Sequence, residues 1–312
     1  MITAIDNFCG AGGSTTGLVW AGIDVIHAAN HWDLAIESHA ANHPKTEHSV
    51  VNLNMTSPRY FPRSDIAWFS PEFTTHSPAG GRRKKDKLGQ MHLWEKPKPE
   101  DERSRMTAWN CLEFAEYFEY RSLVVENVVE FAESWGLFDA WMNAFKLLDY
   151  RSTIVNFNSQ FAGVPQSRDR IYIVFWKKGM PAPMLDFRPQ AHCEQCGSVR
   201  AIQSWKKPGQ RVGRWNQQYV YRCENCLSVV VPHRVAAATG IDWSLASQRI
   251  GDRNRPLCEN TLRRIEKGLR RFYPAAFLQS NRITGRPTSM DEPCQTITAQ
   301  GYTSLVTPDG FI

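Results

Sequence analysis

Short strand-type runs alternate with helical stretches from residue 1 to about 178, and this alternation constrains the fold more than any other feature. Candidate strands lie at 3–8, 24–29, 66–69, 122–126, 151–156 and 171–175, and candidate helices at 15–21, 33–42, 105–118 and 135–148. In the last helix Leu137, Trp141, Phe145 and Leu148 recur at steps of three and four, the period of a single apolar face. Strands alternating with helices predict an α/β fold whose parallel sheet is covered on both faces. From Pro181 the texture changes. Pro181, Pro183 and Pro189 mark a linker, a cysteine-bearing stretch rich in Trp, Arg and Gln follows, and a further helix is expected at 256–272. We therefore expect one domain over 1–180 and a second region over 181–312.

Composition excludes several classes. Hydrophobic residues make up 42% and charged residues 22%, the balance of a globular chain able to bury a full core. No apolar run reaches the ~18–20 residues that span a bilayer. The opening Met1-Ile2-Thr3-Ala4-Ile5-Asp6 lacks the basic and apolar regions of a signal peptide, so a cytoplasmic location is expected. The net charge of +6 permits a polyanionic partner without requiring one.

Of eight cysteines, four form two C-x-x-C pairs, Cys193/Cys196 and Cys223/Cys226, with residues 197–222 between them. Two such knuckles can bring four thiolates to one tetrahedral point, so a structural zinc in a small ribbon over about 192–234 is expected. His192 and His233 flank the knuckles as alternative ligands. Cys9, Cys111, Cys258 and Cys294 have no partner spacing and are expected to be packed.

The run Asn7-Phe8-Cys9-Gly10-Ala11-Gly12-Gly13 joins the first strand to the first helix. By itself such a loop fits a nucleotide-type pocket or a plain tight turn. Four further segments arrive in order: Asn30-His31-Trp32-Asp33, Ser70-Pro71-Glu72-Phe73-Thr74-Thr75-His76-Ser77, Glu126-Asn127-Val128 and Gln166-Ser167-Arg168-Asp169-Arg170. With these motifs the chain resembles the DNA cytosine-5 methyltransferases: F-x-G-x-G-G, N-E-W-D, the catalytic P-C loop, E-N-V and Q-x-R-x-R. The resemblance is tight over about 1–178. It implies a Rossmann-like fold dependent on S-adenosylmethionine, with an inserted zinc-ribbon-containing target-recognition lobe, and double-stranded DNA as partner. A bacterial or phage restriction-modification setting is the one implied.

The resemblance also implies roles. Phe8, Gly10, Gly12, Gly13, His31, Trp32, Asn52 and Pro71 would contact the cofactor, with Trp32 stacking on the adenine. Glu126 would act at ring nitrogen 3 of the flipped cytosine, Arg168 and Arg170 would clamp the base and order the site, Asn127 would orient the catalytic loop, and Gln166 belongs to the same constellation. Two positions depart from the pattern on the cofactor side. His31 stands where the family has an acid for the ribose hydroxyls, and Asn52 stands where an Asp usually meets the adenine amino group.

A third departure removes the chemistry. The family adds a cysteine thiolate to carbon-6 of the base to make carbon-5 nucleophilic, and Phe73 occupies that position. Phenylalanine has no lone pair to add, and its ring is expected to crowd the place of the base. Three readings compete: an inactivating change one codon base from cysteine, a non-catalytic DNA-binding protein, or an aromatic loop like that of the DNA amino-methyltransferases. The third fits poorly, because Glu126-Asn127-Val128 and the paired arginines serve cytosine-5 chemistry. RNA cytosine-5 methylation is a further alternative. The family's R-x-L-T-x-x-E and G-N-[AS]-V segments are not found, so the expectation is either a truncated gene or a second chain that supplies them as a partner. DNA-contact candidates are Arg82, Arg83 and Lys84 after the catalytic loop, and Arg263, Lys267 and Arg270 on one helix face, beside Trp205, Arg211, Arg214 and Trp215 between the knuckles.

Overall fold

The computed structural model describes residues 1–73, 99–245, 249–280, 285–297, 303–307 and 310–311. The chain begins with β1 (Thr3–Asn7), α1 (Gly13–Trp20), β2 (Asp24–Asn30), α2 (Asp33–Asn42), β3 (Glu47–Val50) and β4 (Ile66–Phe69). It continues with α3 (Pro99–Phe118), β5 (Ser122–Asn127), α4 (Glu130–Glu133), α5 (Phe138–Leu147), β6 (Tyr150–Asn158), β7 (Gln166–Ser167) and β8 (Asp169–Lys177). Seven of these strands form one sheet in the order β3-β2-β1-β4-β5-β8-β6. The pairings from β3 through β5 are parallel, but β8 runs antiparallel to β5. The sheet is therefore mixed, which corrects the all-parallel expectation.

The two faces of the sheet are covered unequally. Along β5 every second residue is buried: Leu123, Val125 and Asn127 face inward, while Ser122, Val124 and Glu126 are half-buried. The buried face packs on α3 through Ala108, Cys111, Phe114, Ala115 and Phe118, a helical stripe at steps of three and four, and on α5 through Trp141 and Phe145. Trp141 Nε1 donates to the Ala108 carbonyl at 2.8 Å, and Phe145 stacks on Phe175 with centroids 4.1 Å apart. The opposite face is sealed near β1 and β2 by Leu18 and Ile36 of α1 and α2. Around β4 and β5 it stays half-buried, and that is the face carrying Glu126.

Two compact units are present. The first comprises Met1–Phe157, Arg170–Asp186 and Gly209–Arg214; the second comprises Asn158–Asp169, Phe187–Pro208 and Trp215–Ile312. In the second unit β9 (Gln190–Cys193), β10 (Gly197–Trp205), β11 (Tyr219–Cys223) and β12 (Val229–Val230) form an antiparallel sheet. There, too, α6 (Glu259–Phe272) packs Ile265 on Phe277 and Val306, residues of β13 (Phe277–Ser280) and β16 (Thr303–Thr307). Two short strands, β14 (Thr288–Ser289) and β15 (Cys294–Gln295), lie between these in the chain. Strand β15 pairs in parallel with β7. Among the described residues no helix is long and apolar enough to cross a membrane.

Candidate functional site

Parallel pairing gathers the motifs on one edge of the sheet. Residues 8–13, 31–32, 52, 70–73 and 126–127 each follow or end one of the five strands β1 to β5, so all sit at the carboxyl edge, where α/β sheets bind ligands. Strand β8 adds Arg170 from the other direction. Its antiparallel register sets Tyr172 opposite Glu126. Side chains two apart share a face, so Arg170 is the diagonal neighbour of Glu126. Arg170 Nε lies 2.9 Å from Glu126 Oε1, with both side chains largely buried at 16% and 22% exposure.

The loop after β4 is tied to this pair. Asn127, on the buried face, donates from Nδ2 to the Pro71 carbonyl at 3.0 Å, and its Oδ1 accepts from the Val128 N–H. Thr107 of α3 donates to the Glu72 carbonyl at 3.1 Å. Phe73 is 6% exposed and meets Phe131 edge-on at 5.1 Å and Trp135 at 6.4 Å. The ring expected to crowd an open base site lies instead in the hydrophobic core, because an aromatic cluster was there to receive it.

The glycine loop is held by its carbonyls. Asn30 Nδ2 donates to Cys9 O, Asn42 Nδ2 to Ala11 O at 2.7 Å, and Thr16 Oγ1 to Gly12 O at 2.9 Å. Gly12 has φ +102°, and a Cβ there would fall 2.5 Å from the His43 ring, so this position demands glycine. Phe8 also adopts a left-handed conformation, with φ 59°. At Gly10 and Gly13 an added Cβ meets nothing within 4 Å, α1 has no side-chain cap, and Trp32 is 56% exposed. Open room, uncapped amides and a flat apolar ring fit a nucleoside-type ligand. Asn52 is partly committed: its Oδ1 accepts from the Asn54 N–H.

Beneath the loop lies a polar relay. Ser14 and Thr15 hydroxyls donate to Asp6 Oδ2 at 2.5 and 2.8 Å. Thr15 Oγ1 is also hydrogen-bonded to His39 Nε2 at 2.9 Å, and His39 Nδ1 to His48 Nε2 at 2.8 Å. Burial holds the His48 and His27 rings below their ordinary values, since it disfavours the charged form. The motif spacing identified the loop but not this relay, since His39 and His48 are separated in sequence and match no motif.

The remaining predicted residues fall elsewhere. Arg168 and Gln166 belong to the second unit, where the Arg168 N–H donates to Asn158 Oδ1 and Gln166 pairs opposite Cys294 in the β7–β15 ladder. Arg82, Arg83 and Lys84 lie outside the described residues. On α6, Arg263 pairs with Glu259 and Arg270 with Glu266, one turn back in each case, and Lys267 occupies the turn between them. Arg214 lies within the first unit, where its Nη2 meets Glu130 Oε1 at 2.5 Å. Gly213 N–H donates to Asn156 Oδ1 beside it.

Cys193, Cys196, Cys223 and Cys226 converge, with their Sγ atoms all within 4.8 Å of one another. Four 2.3 Å Zn–S bonds make a tetrahedron with edges of about 3.8 Å, close to this spacing. The two turns linking β9 to β10 and β11 to β12 carry the thiols, and the Asn225 N–H points at Cys223 Sγ at 3.4 Å. Hydrogen bonding from Ser228 holds the Cys226 thiol low, at about 6. Cys9 and Cys111 are buried as expected, with burial pushing Cys9 up to about 12, whereas Cys258 is exposed at the start of α6, contrary to the packing expectation.

Comparison with known proteins follows the same line. The family model for C-5 cytosine-specific DNA methylase matches residues 2–226. The chain is similar to the type II methyltransferase M.AgeI of Thalassovita gelatinovora, with 27% identity over 180 residues, 54% of this chain and 38% of that protein. It thus spans well under half the length of that relative. Among solved structures it is similar to a putative DNA modification methyltransferase of an E. coli prophage, with TM-score 0.50 and 14% identity over 95% of this chain and 82% of that one. That likeness shows a mixed α/β methyltransferase fold. The Dnmt2 methyltransferase of S. pombe matches with TM-score 0.46 and 19% identity over 59% of this chain and 53% of that one.

Proposed function

The chain belongs to the C-5 cytosine-specific DNA methylase family, and on that premise we propose that it binds S-adenosylmethionine and a flipped cytosine of duplex DNA while lacking the nucleophile for methyl transfer. The observation that carries this reading is the Glu126–Arg170 pair beside a loop pinned by Asn127, with Phe73 at the nucleophile position. S-Adenosylmethionine, when bound, supplies the electrophilic methyl group. Gly10, Gly12, Gly13, Trp32 and Asn52 would hold it, Gly10 and Gly13 giving room, Gly12 the left-handed turn and Trp32 a stacking surface.

Glu126 would meet ring nitrogen 3 of the base, and Arg170, already on the same carboxylate, would fix its orientation and offset its charge. Covalent activation stops there. Carbon-6 needs a lone pair to form its bond, the Phe73 ring has none to give, and the ring is turned into the core. A DNA-binding methylase homologue that transfers nothing is therefore the form favoured for this chain. DNA rather than RNA is favoured by the family, whose description is a C-5 cytosine-specific DNA methylase. On the second unit, the cationic face of α6 supplies phosphate contacts through Lys267 and its arginine neighbours.

The four cysteines would bind one structural zinc, whose role is to close the β9–β12 sheet around Tyr219 and Tyr221. Elemental analysis of the purified chain is expected to find about one zinc per chain, lost in Cys223→Ser. The functional reading is tested by methyl transfer from labelled S-adenosylmethionine to mixed-sequence duplex DNA, with the chain beside Phe73→Cys and transfer RNA as competitor. Transfer by the cysteine variant alone supports it. Transfer by the Phe73 chain would sink the covalent mechanism.

A further inference from the structure

We infer that Glu72 is the residue that takes the ribose hydroxyls of S-adenosylmethionine, with His31 acting as its positioning partner. The inference rests on the cofactor reading above. Vicinal ribose hydroxyls present two donors side by side, and a carboxylate with two oxygens matches them; a neutral imidazole offers one lone pair and a protonated one offers none. At the end of β2 this chain has His31, so that position by itself leaves the diol poorly matched.

The sheet order supplies the replacement. Strands β2 and β4 both flank β1, and all three run in parallel, so the loops that follow β2 and β4 emerge on either side of the glycine loop. His31 is the first residue after β2 and Glu72 the third after β4. Their side chains meet there, with His31 Nε2 3.7 Å from Glu72 Oε1. Both side chains are partly exposed, at 38% and 41%. Both backbones are anchored. Asn30 bridges the Cys9 carbonyl and the Trp32 N–H on one side, and Thr107 and Asn127 hold the carbonyls of Glu72 and Pro71 on the other. A carboxylate has about four lone-pair sites, so it can accept from several donors at once. The acid missing at the end of β2 thus arrives from the neighbouring loop, and the imidazole in its place orients that acid.

A plain surface ion pair would have the same distance, so the test reads the ribose itself. Isothermal titration calorimetry on the full chain compares S-adenosylhomocysteine with its 2′,3′-dideoxy analogue. The wild-type chain is expected to favour the ribose form by about tenfold or more. Glu72→Gln, similar in shape and checked for folding by circular dichroism, is expected to bind both alike, and Glu72→Gln with His31→Glu to regain the preference. Preference for the ribose form unchanged in Glu72→Gln overturns the proposal, as does equal binding of the two ligands by the wild-type chain. Failure of the wild-type chain to bind either ligand overturns the cofactor reading and this proposal together.

Discussion

Phe73→Cys, the change that on the proposed reading would supply a nucleophile, also removes a ring from the core. The side chain is 6% exposed and packs edge-on against Phe131, which in turn lies 5.0 Å from Trp135 and 5.4 Å from Trp141. Truncating a buried Phe to Ala costs ~3–5 kcal/mol, and the sulfur of cysteine replaces only one of the lost heavy atoms, so a cost of about 3 kcal/mol is expected. That figure includes the edge-to-face contact with Phe131, worth ~0.5–1.5 kcal/mol. At ~2–4 °C per kcal/mol, the melting temperature should fall by roughly 6–12 °C. Phe73→Leu keeps most of the volume and should cost only about 1 kcal/mol. Thermal and urea unfolding followed by circular dichroism reads both variants. A cysteine variant melting within about 2 °C of the parent would refute the buried placement of Phe73, as would a leucine variant that melts as low as the cysteine one. The same number governs the methyl-transfer assay, which has to be run well below the lowered melting temperature.

Three further outcomes are expected. Arg170→Ala strands Glu126 at 22% exposure and should cost about 1–3 kcal/mol, while Arg170→Ala combined with Glu126→Gln should cost less than the sum, a coupling that a double-mutant cycle in urea measures. The His27 and His48 rings sit below their ordinary value of 6.5 mainly because burial disfavours the charged form. The unfolded chain then binds more protons as pH falls below 6.5, so stability is full above that value and is lost on acidification through the lower folded values. Melting temperature should drop between pH 7.5 and 5.5, and His48→Gln should reduce the drop. In α6, Gly268→Ala adds a methyl 2.0 Å from the Phe277 ring, which is fully buried and cannot swing aside. Overpacking at ~1–3 kcal/mol outweighs the ~1 kcal/mol gain in helix propensity, so the variant should unfold earlier in urea.

The strands and helices of the first half were legible because their apolar periods differ. Ile66–Phe69 and Asp33–Asn42 emerge with the bounds that patterning assigns, while β3 (Glu47–Val50) escaped because Glu-His-Ser-Val has no apolar alternation. Helix α5 starts at Phe138 rather than at 135, since Trp135 is drawn into the aromatic cluster ahead of it. The Cys-x-x-Cys spacing was enough to bring four thiols together, because each knuckle is local and the hairpins between them need only pair.

The amino-acid order alone determines which chemical groups this protein owns: the glycine loop, the Glu126-Asn127-Val128 segment, the two arginines, four paired thiols and a phenylalanine after Pro71-Glu72. Those are matters of local spacing and atom type. Tertiary structure decides which of them meet. Antiparallel entry of β8 brings Arg170 onto Glu126, and periodicity carries no information about strand direction. The aromatic pair Phe131 and Trp135, far along the chain, claims Phe73. The strand order β2-β1-β4 sets the His31 and Glu72 loops face to face, although 40 residues lie between them in the chain (32–71). Contacts of that kind depend on sheet order and register, which arise only when distant segments compete for the same core.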